Sequence, residues 1–269
     1  MQLFNNINYT SNILYLTNTF ITEYDISKAN INVLYEAGYI NDDIYNYLYS
    51  SERMLRQKYV GMLQKNDYNV TKTLKLGIIE AKKKLFEANN IQDNEVLCIK
   101  NDAVYVINKK LYNTKFGRIE FVPKNIYTGY YNINSRIIKF EFFYYYNNIT
   151  KEENLDIKGL ANKHYELHDK YFCQILKDLF YSMQVASPEI SLRMMKDIYN
   201  KYISLQFPVE YYRRFNNYSD YYLNTTSKFG SGYSINNADD SIKPYLDISI
   251  NKQILLELQK IIISSYFNR

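Results

Sequence analysis

Tryptophan is absent from the 269 residues, and cysteine and histidine occur only twice each. Cys98 and Cys173 lie far apart in apolar contexts, without the close spacing of a metal knuckle or a disulfide framework. The expectation is two buried, reduced thiols and a cytoplasmic, reducing compartment. His164 and His168 form an i, i+4 pair around Glu166, a spacing that can hold a metal on a helix. No glutamate follows His164 directly, which excludes a zincin. No apolar run reaches the length of a membrane span, and Met1 to Asn5 lacks the basic start of a signal peptide. No membrane partner is expected, and no repeat of fixed period is visible.

What the chain does contain is tyrosine, 31 residues of it, with abundant Asn, Ile and Lys. Codon bias in an AT-rich genome, such as that of a virus or parasite, accounts for all four together. The tyrosines are therefore not read wholesale as a base-stacking surface. Lys plus Arg number 33 against 28 Asp plus Glu, for a net charge of +5. This permits a polyanionic partner without demanding one. The length suits one large domain or two small ones, with room for a sizeable core.

Residues 11–25 read as strand material ending on Asp25, with Leu14, Leu16, Phe20 and Tyr24 sharing a face. Ala29, Val33, Leu34 and Ala37 then carry a helical spacing, closed by Gly38 and Asn41. A second helix is expected over 42–65. One side would carry Ile44, Tyr47, Leu48, Leu55, Tyr59 and Met62, and the other would be cationic with Arg53, Arg56, Lys58 and Lys65. A third begins at Asp67 or Asn69, is basic at Lys82, Lys83 and Lys84, and stops at Asn89-Asn90. The stretch 95–111, EVLCIKNDAVYVINKKL, reads as a β-hairpin with Asn101-Asp102 at its tip. Strands are expected over 118–122, 126–133 and 137–146, then helices from His164, from Pro188 and over 246–267. This order gives an α+β fold, not the regular alternation of a doubly wound sheet.

Two strand ends thus present carboxylates, Asp25 and Asp102, separated by helices with basic faces. Were the strands neighbours, the acids would repel by ~4 kcal/mol at an effective dielectric of 20 and 4 Å separation. Divalent cations offset that repulsion, and two Mg2+ ions held by such acids suit in-line displacement at phosphorus. A cationic helix facing them would neutralise a triphosphate.

Taken together these segments resemble the family-B DNA polymerases. Asp25-Ile26-Ser27-Lys28-Ala29-Asn30-Ile31 is similar to the family's first palm motif, Asp-x-x-Ser-Leu-Tyr-Pro. The stretch from Arg53 to Gly61 resembles the finger-helix motif Lys-x-x-x-Asn-Ser-x-Tyr-Gly, and Thr71 and Gly77 resemble residues of the next palm helix. Lys100-Asn101-Asp102-Ala103-Val104-Tyr105-Val106 is similar to the third motif, Asp-Thr-Asp-Ser-Val-Phe-Val. Lys124 and Tyr127 resemble the primer-contacting Lys-x-Tyr. Asp156 to Leu160 looks like the passage from palm to thumb, and Asp247 to Ile254 like a stretch near the thumb's end. The pieces keep the family's order across residues 14–263. The first motif is also similar to the family-A form, but family A has no thumb after its third motif.

The resemblance implies a palm with an antiparallel sheet (1–40 and 67–160), short helical fingers (41–66) and a mainly helical thumb (161–269). It implies a template-directed nucleotidyltransferase using Mg2+, without a proofreading domain and served by other replication subunits. Asp25 and Asp102 would be the metal-binding catalytic acids. Ile26, Ser27, Lys28, Arg53 and Lys58 would take the triphosphate. Lys124, Tyr127, Lys158 and Gly159 would contact primer-template nucleic acid. Three departures bear on this. Asn30 replaces the tyrosine that excludes ribonucleotides, Lys100 replaces the first acid of the third motif, and Arg53 replaces the finger lysine. They keep two other readings open: a catalytically reduced polymerase-derived module that binds nucleic acid or a replication partner, and a structural protein whose motif matches are accidental.

Overall fold

A computed structural model describes residues 2–136, 139–158, 171–204, 206–208, 211, 221–222, 233–234 and 248–267. They form an α+β fold whose strands pair antiparallel. The chain divides into two compact units, one of residues 1–12 and 20–126, the other of 13–19 and 127–269.

In the first unit, β1 (Asn8–Thr10) is followed by β2 (Tyr15–Ile26), which enters this unit at Phe20. Four helices come next: α1 (Ala29–Glu36), α2 (Asp42–Ser50), α3 (Arg53–Asn66) and α4 (Tyr68–Asn89). The hairpin β3 (Val96–Lys100) and β4 (Ala103–Ile107), the short β5 (Lys115–Phe116) and the start of β6 (Ile119–Asn134) complete the unit. Strand order is β1-β3-β4-β2-β6, so the hairpin lies directly beside β2 although some 70 residues separate them in sequence. Tyr24, Ile26, Val96, Val104 and Val106 bury against Leu34 of α1, Leu48 of α2, Val60 of α3 and Leu85 of α4. Val33 of α1 approaches α4 so closely that a Cβ built on Gly77 would lie 2.3 Å from its Cγ1. Glycine is required there by packing, not by backbone conformation.

Two sequence expectations are corrected. The helix expected over 42–65 is two helices, because Ser51 and Glu52 adopt extended backbone between α2 and α3. That break resets the helical phase. Tyr45, Leu48 and Val60 are the buried residues, while Tyr47, Leu55 and Met62 of the expected apolar side are exposed. Over 11–25 the expected shared face fails as well, with Leu14, just before β2, and Phe20 exposed and Ile21 to Tyr24 all buried. Asn18 has a positive φ of 52°. A left-handed residue inside a strand disrupts the two-residue repeat on which a shared face depends.

In the second unit, β6 from Tyr127 pairs with β7 (Lys139–Tyr146), and β7 with β8 (Glu153–Lys158). Leu14 joins β6 through its carbonyl, which accepts the Asn132 N–H at 2.7 Å. Three helices follow: α5 (Phe172–Val185), α6 (Pro188–Ile203) and α7 (Ile248–Phe267). Phe140, Phe142 and Tyr144 of β7 bury with Phe180 of α5, Met195 of α6 and Leu258 of α7. Pro188 occupies the first turn of α6, where its missing N–H removes no helical bond. The histidine pair His164/His168 and most of 207–244 lie outside the described residues.

Candidate functional site

Asp25 is the penultimate residue of β2, half-buried between the buried Ile26 and Tyr24, which pairs with Val104 of β4. Asp102 sits in the two-residue tip between β3 and β4, next to Ala103. The hairpin's own register, Lys100 against Ala103, leaves only Asn101 and Asp102 to make the turn, and Asn101 takes the left-handed backbone this needs (φ 56°). The two acids therefore come together from adjacent antiparallel strands.

They open into a cleft of about 530 Å³ that also contains Ile26, Lys28, Asn30, Arg53, Arg56 and Lys124. Burial, and next the charge of Asp25, pushes the Asp102 carboxyl above the usual range for aspartate. A backbone N–H and the ammonium groups of Lys124 and Lys82 act in the opposite direction. Lys124 Nζ lies 3.3 Å from Asp25 Oδ2, so a cation of the protein itself meets this acid.

The chain after Asp25 is held by several local bonds. Ser27 donates its N–H to the Glu120 carbonyl at 2.9 Å, and its own carbonyl accepts from Asn32 Nδ2 at 2.7 Å. Asn32 is buried, and its Oδ1 receives the Tyr45 hydroxyl of α2 at 2.9 Å. Lys28 has a left-handed backbone (φ 49°) and donates to the Tyr49 carbonyl at 2.7 Å, its ammonium 3.3 Å from the centre of the Tyr49 ring. Burial and then the nearby Arg56 lower the Lys28 pKa. Arg56 in turn donates to the Ser51 carbonyl, so it steadies the α2–α3 corner while lining the cleft.

Of the residues singled out from the sequence, Asp25, Asp102, Ile26, Lys28, Arg53 and Lys124 share this cleft. Ser27 lies in the adjoining turn with its backbone engaged, and Lys58 is exposed on α3 and does not line the cleft. Arg56, which does line it, was visible only as one more charge on a basic helix. Tyr127 and Lys158 belong to the second unit. The Tyr127 ring is buried with its hydroxyl donating to Asp156 Oδ2 at 2.9 Å, and Lys158 pairs with the same carboxylate at 3.1 Å. Gly159 lies outside the described residues. Lys82 is the largest surprise. In sequence it is one of three consecutive lysines, yet it is fully buried, and burial pushes its ammonium down to about 8 against the pull of Asp102.

Fold and site together define an α+β protein with one acid on a strand, a second in the turn of the adjoining hairpin, and a cationic cleft around them. The chain belongs to the family of the bacteriophage PBS1 gene 130 protein, whose profile matches residues 1–264. A phage family agrees with the viral source considered for the AT-rich residue usage. No curated protein matches the chain. Among the described residues, no helix is long and apolar enough to cross a membrane.

Proposed function

We propose that this chain is a template-directed nucleotidyltransferase of the family-B DNA polymerase type, with the first unit as its palm and short fingers. The observation that carries the reading is the juxtaposition of Asp25 and Asp102 at the floor of a cleft lined by Lys28, Arg53 and Arg56. The order of these parts along the chain, strand with acid, basic helices, then hairpin with acid, is the order of the resembled palm.

The donor set suits Mg2+, a hard cation commonly held by one or two carboxylates together with waters and substrate phosphates. Among the described residues no cluster of three or more His, Cys, Asp or Glu occurs, so Asp25 and Asp102 would be the protein's share of the ligands. Mg2+ bound there would neutralise and orient the reacting phosphoryl group for in-line displacement. Arg53 and Arg56 place two further positive charges on the fingers side, where they would orient the triphosphate and stabilise its charge. Lys28, held by Tyr49, adds a third at the start of α1. Lys124 occupies Asp25 and would be released toward primer or substrate phosphate once another cation takes the acid. In the second unit, Lys158 would meet nucleic-acid backbone, with Asp156 and Tyr127 fixing its base.

A second reading, a catalytically reduced module that binds nucleic acid, is favoured by two lysines. Lys100 stands where the resembled motif has an acid and bonds Thr10 Oγ1 at 2.9 Å, and Lys124 already partners Asp25. Primer extension with Mg2+ on wild type, Asp25→Asn and Asp102→Asn decides. Extension by wild type and loss of 100-fold or more in both variants is expected, on the order of what removing one charge-stabilising group costs. Equal extension by all three would refute the metal assignment. Retention of primer-template with a steep salt dependence but no extension would establish the binding module instead.

A further inference from the structure

Lys82 projects from the middle of α4 into the interior and is wholly buried. Its ammonium donates to two backbone carbonyls, that of Asn6 and, at 3.3 Å, that of Asn101. Asn101 is held from its other side too, its N–H donating to the Ile7 carbonyl at 2.8 Å. The turn that carries Asp102 is thus gripped between the N-terminal segment and α4, with Lys82 joining all three. Burying an ammonium is expensive, and an aliphatic side chain of similar volume would fill the space at lower cost. What the lysine alone supplies is a multiple donor under a left-handed turn that has only two residues.

We infer that Lys82 is a positioning residue for Asp102: it clasps the Asn101 carbonyl to the Asn6 carbonyl and so fixes the direction in which the Asp102 carboxylate faces the cleft. This rests on the reading of Asp102 as a metal-binding acid. The clasp itself can be measured without metal.

The test uses the full chain with Lys82→Met, which keeps the stem and removes the donors, and Lys82→Gln, which restores one donor and covers the case that the methionine variant does not fold. The first readout is amide hydrogen exchange without metal. Exchange at residues 101–103 should accelerate at least tenfold beyond the change at buried β3 and β4 amides such as Leu97 and Val106. The second readout is Mn2+ affinity by titration, expected to weaken at least tenfold in Lys82→Met and to recover in part in Lys82→Gln. A purely space-filling or stability role would raise exchange evenly through the unit and leave Mn2+ affinity unchanged in the folded fraction. Either result overturns the proposal. Should wild type bind no Mn2+ while the turn is still selectively freed, the clasp stands and the metal reading falls. Should Mn2+ bind wild type and both variants equally, the metal site stands and the positioning role falls.

Discussion

Replacing Asp102 by asparagine should make the metal-free protein more stable while removing the proposed activity. The side chain keeps its shape and its ability to sit in a tight turn, so only the charge changes. On neighbouring strands, carboxylates about 6–7 Å apart repel by about 2–3 kcal/mol at an effective dielectric of about 20. Lys124 and Lys82 offset part of this, which leaves a net gain of about 1–2 kcal/mol for the variant. For a protein of this size that corresponds to a rise of roughly 2–8 °C in Tm. The pH dependence follows from the direction of the shift. Asp102 has a folded-state pKa above its unfolded value, so its cost to stability is full above the folded pKa and is relieved as pH falls through it. The advantage of Asp102→Asn should therefore be largest near pH 7.5 and shrink toward pH 4. Mg2+ should reverse the ranking, because a ligand at about 100 times its Kd stabilises wild type by ~2.7 kcal/mol and the variant much less. Thermal melts at both pH values, in chelator and in Mg2+, supply all the comparisons. A variant less stable than wild type at pH 7.5 in chelator would refute the account of two opposed carboxylates.

Three further outcomes are expected. Lys124→Met should change stability by less than ~1 kcal/mol, because the lysine is 56% exposed and its ion pair with Asp25 is solvent-screened. The same variant should bind Mn2+ about 3–5-fold more tightly, since a competing cation is gone; unchanged or weaker binding by titration would argue against Lys124 as a stand-in. Gly77→Ala should destabilise by about 1–2 kcal/mol, as overpacking against stiff Val33 outweighs the helix-propensity gain. In a Val33→Ala background the same change should stabilise, and urea melts of the four proteins in the cycle would show whether the sign inverts. Cys98 and Cys173 are both buried and form no disulfide, so a thiol reagent should label neither until the protein is unfolded, and rapid labelling of the native protein would contradict their placement.

Much of the site was legible because its parts announce themselves locally. Asn101-Asp102 between two β-branched runs specifies a tight hairpin, and Asp67 and Asn90 cap α4 where their side chain and left-handed backbone allow. The strand that carries Asp25 was visible as strand material, but not its faces, because Asn18 breaks the alternation. The break between α2 and α3 was not, since Ser51 and Glu52 are residues a helix accepts and no glycine or proline marks the corner. Arg56 gains its place only through that corner, by reaching the Ser51 carbonyl. Lys82 could not be told from its neighbours for a deeper reason: adjacent lysines look alike in sequence, and only the arrival of Asn6 and Asn101, 76 and 19 residues away, distinguishes one of them. Acceptors brought by tertiary folding leave no trace in the local pattern.

Helix α4 acts as the common reference for both sides of the cleft. At Gly77 it admits Val33 of α1, the helix that follows Asp25 and brings Asn30 and Ile31 to the cleft. Five residues further on, Lys82 holds the turn of Asp102. These points are about 7.5 Å apart along a stiff helix at 1.5 Å per residue. A displacement of α4 that relieved a crowded Gly77 would therefore carry Lys82 with it, because packed helices shift as bodies more readily than they deform. A single element between two strands distant in sequence thus touches both the helix that follows Asp25 and the turn that carries Asp102.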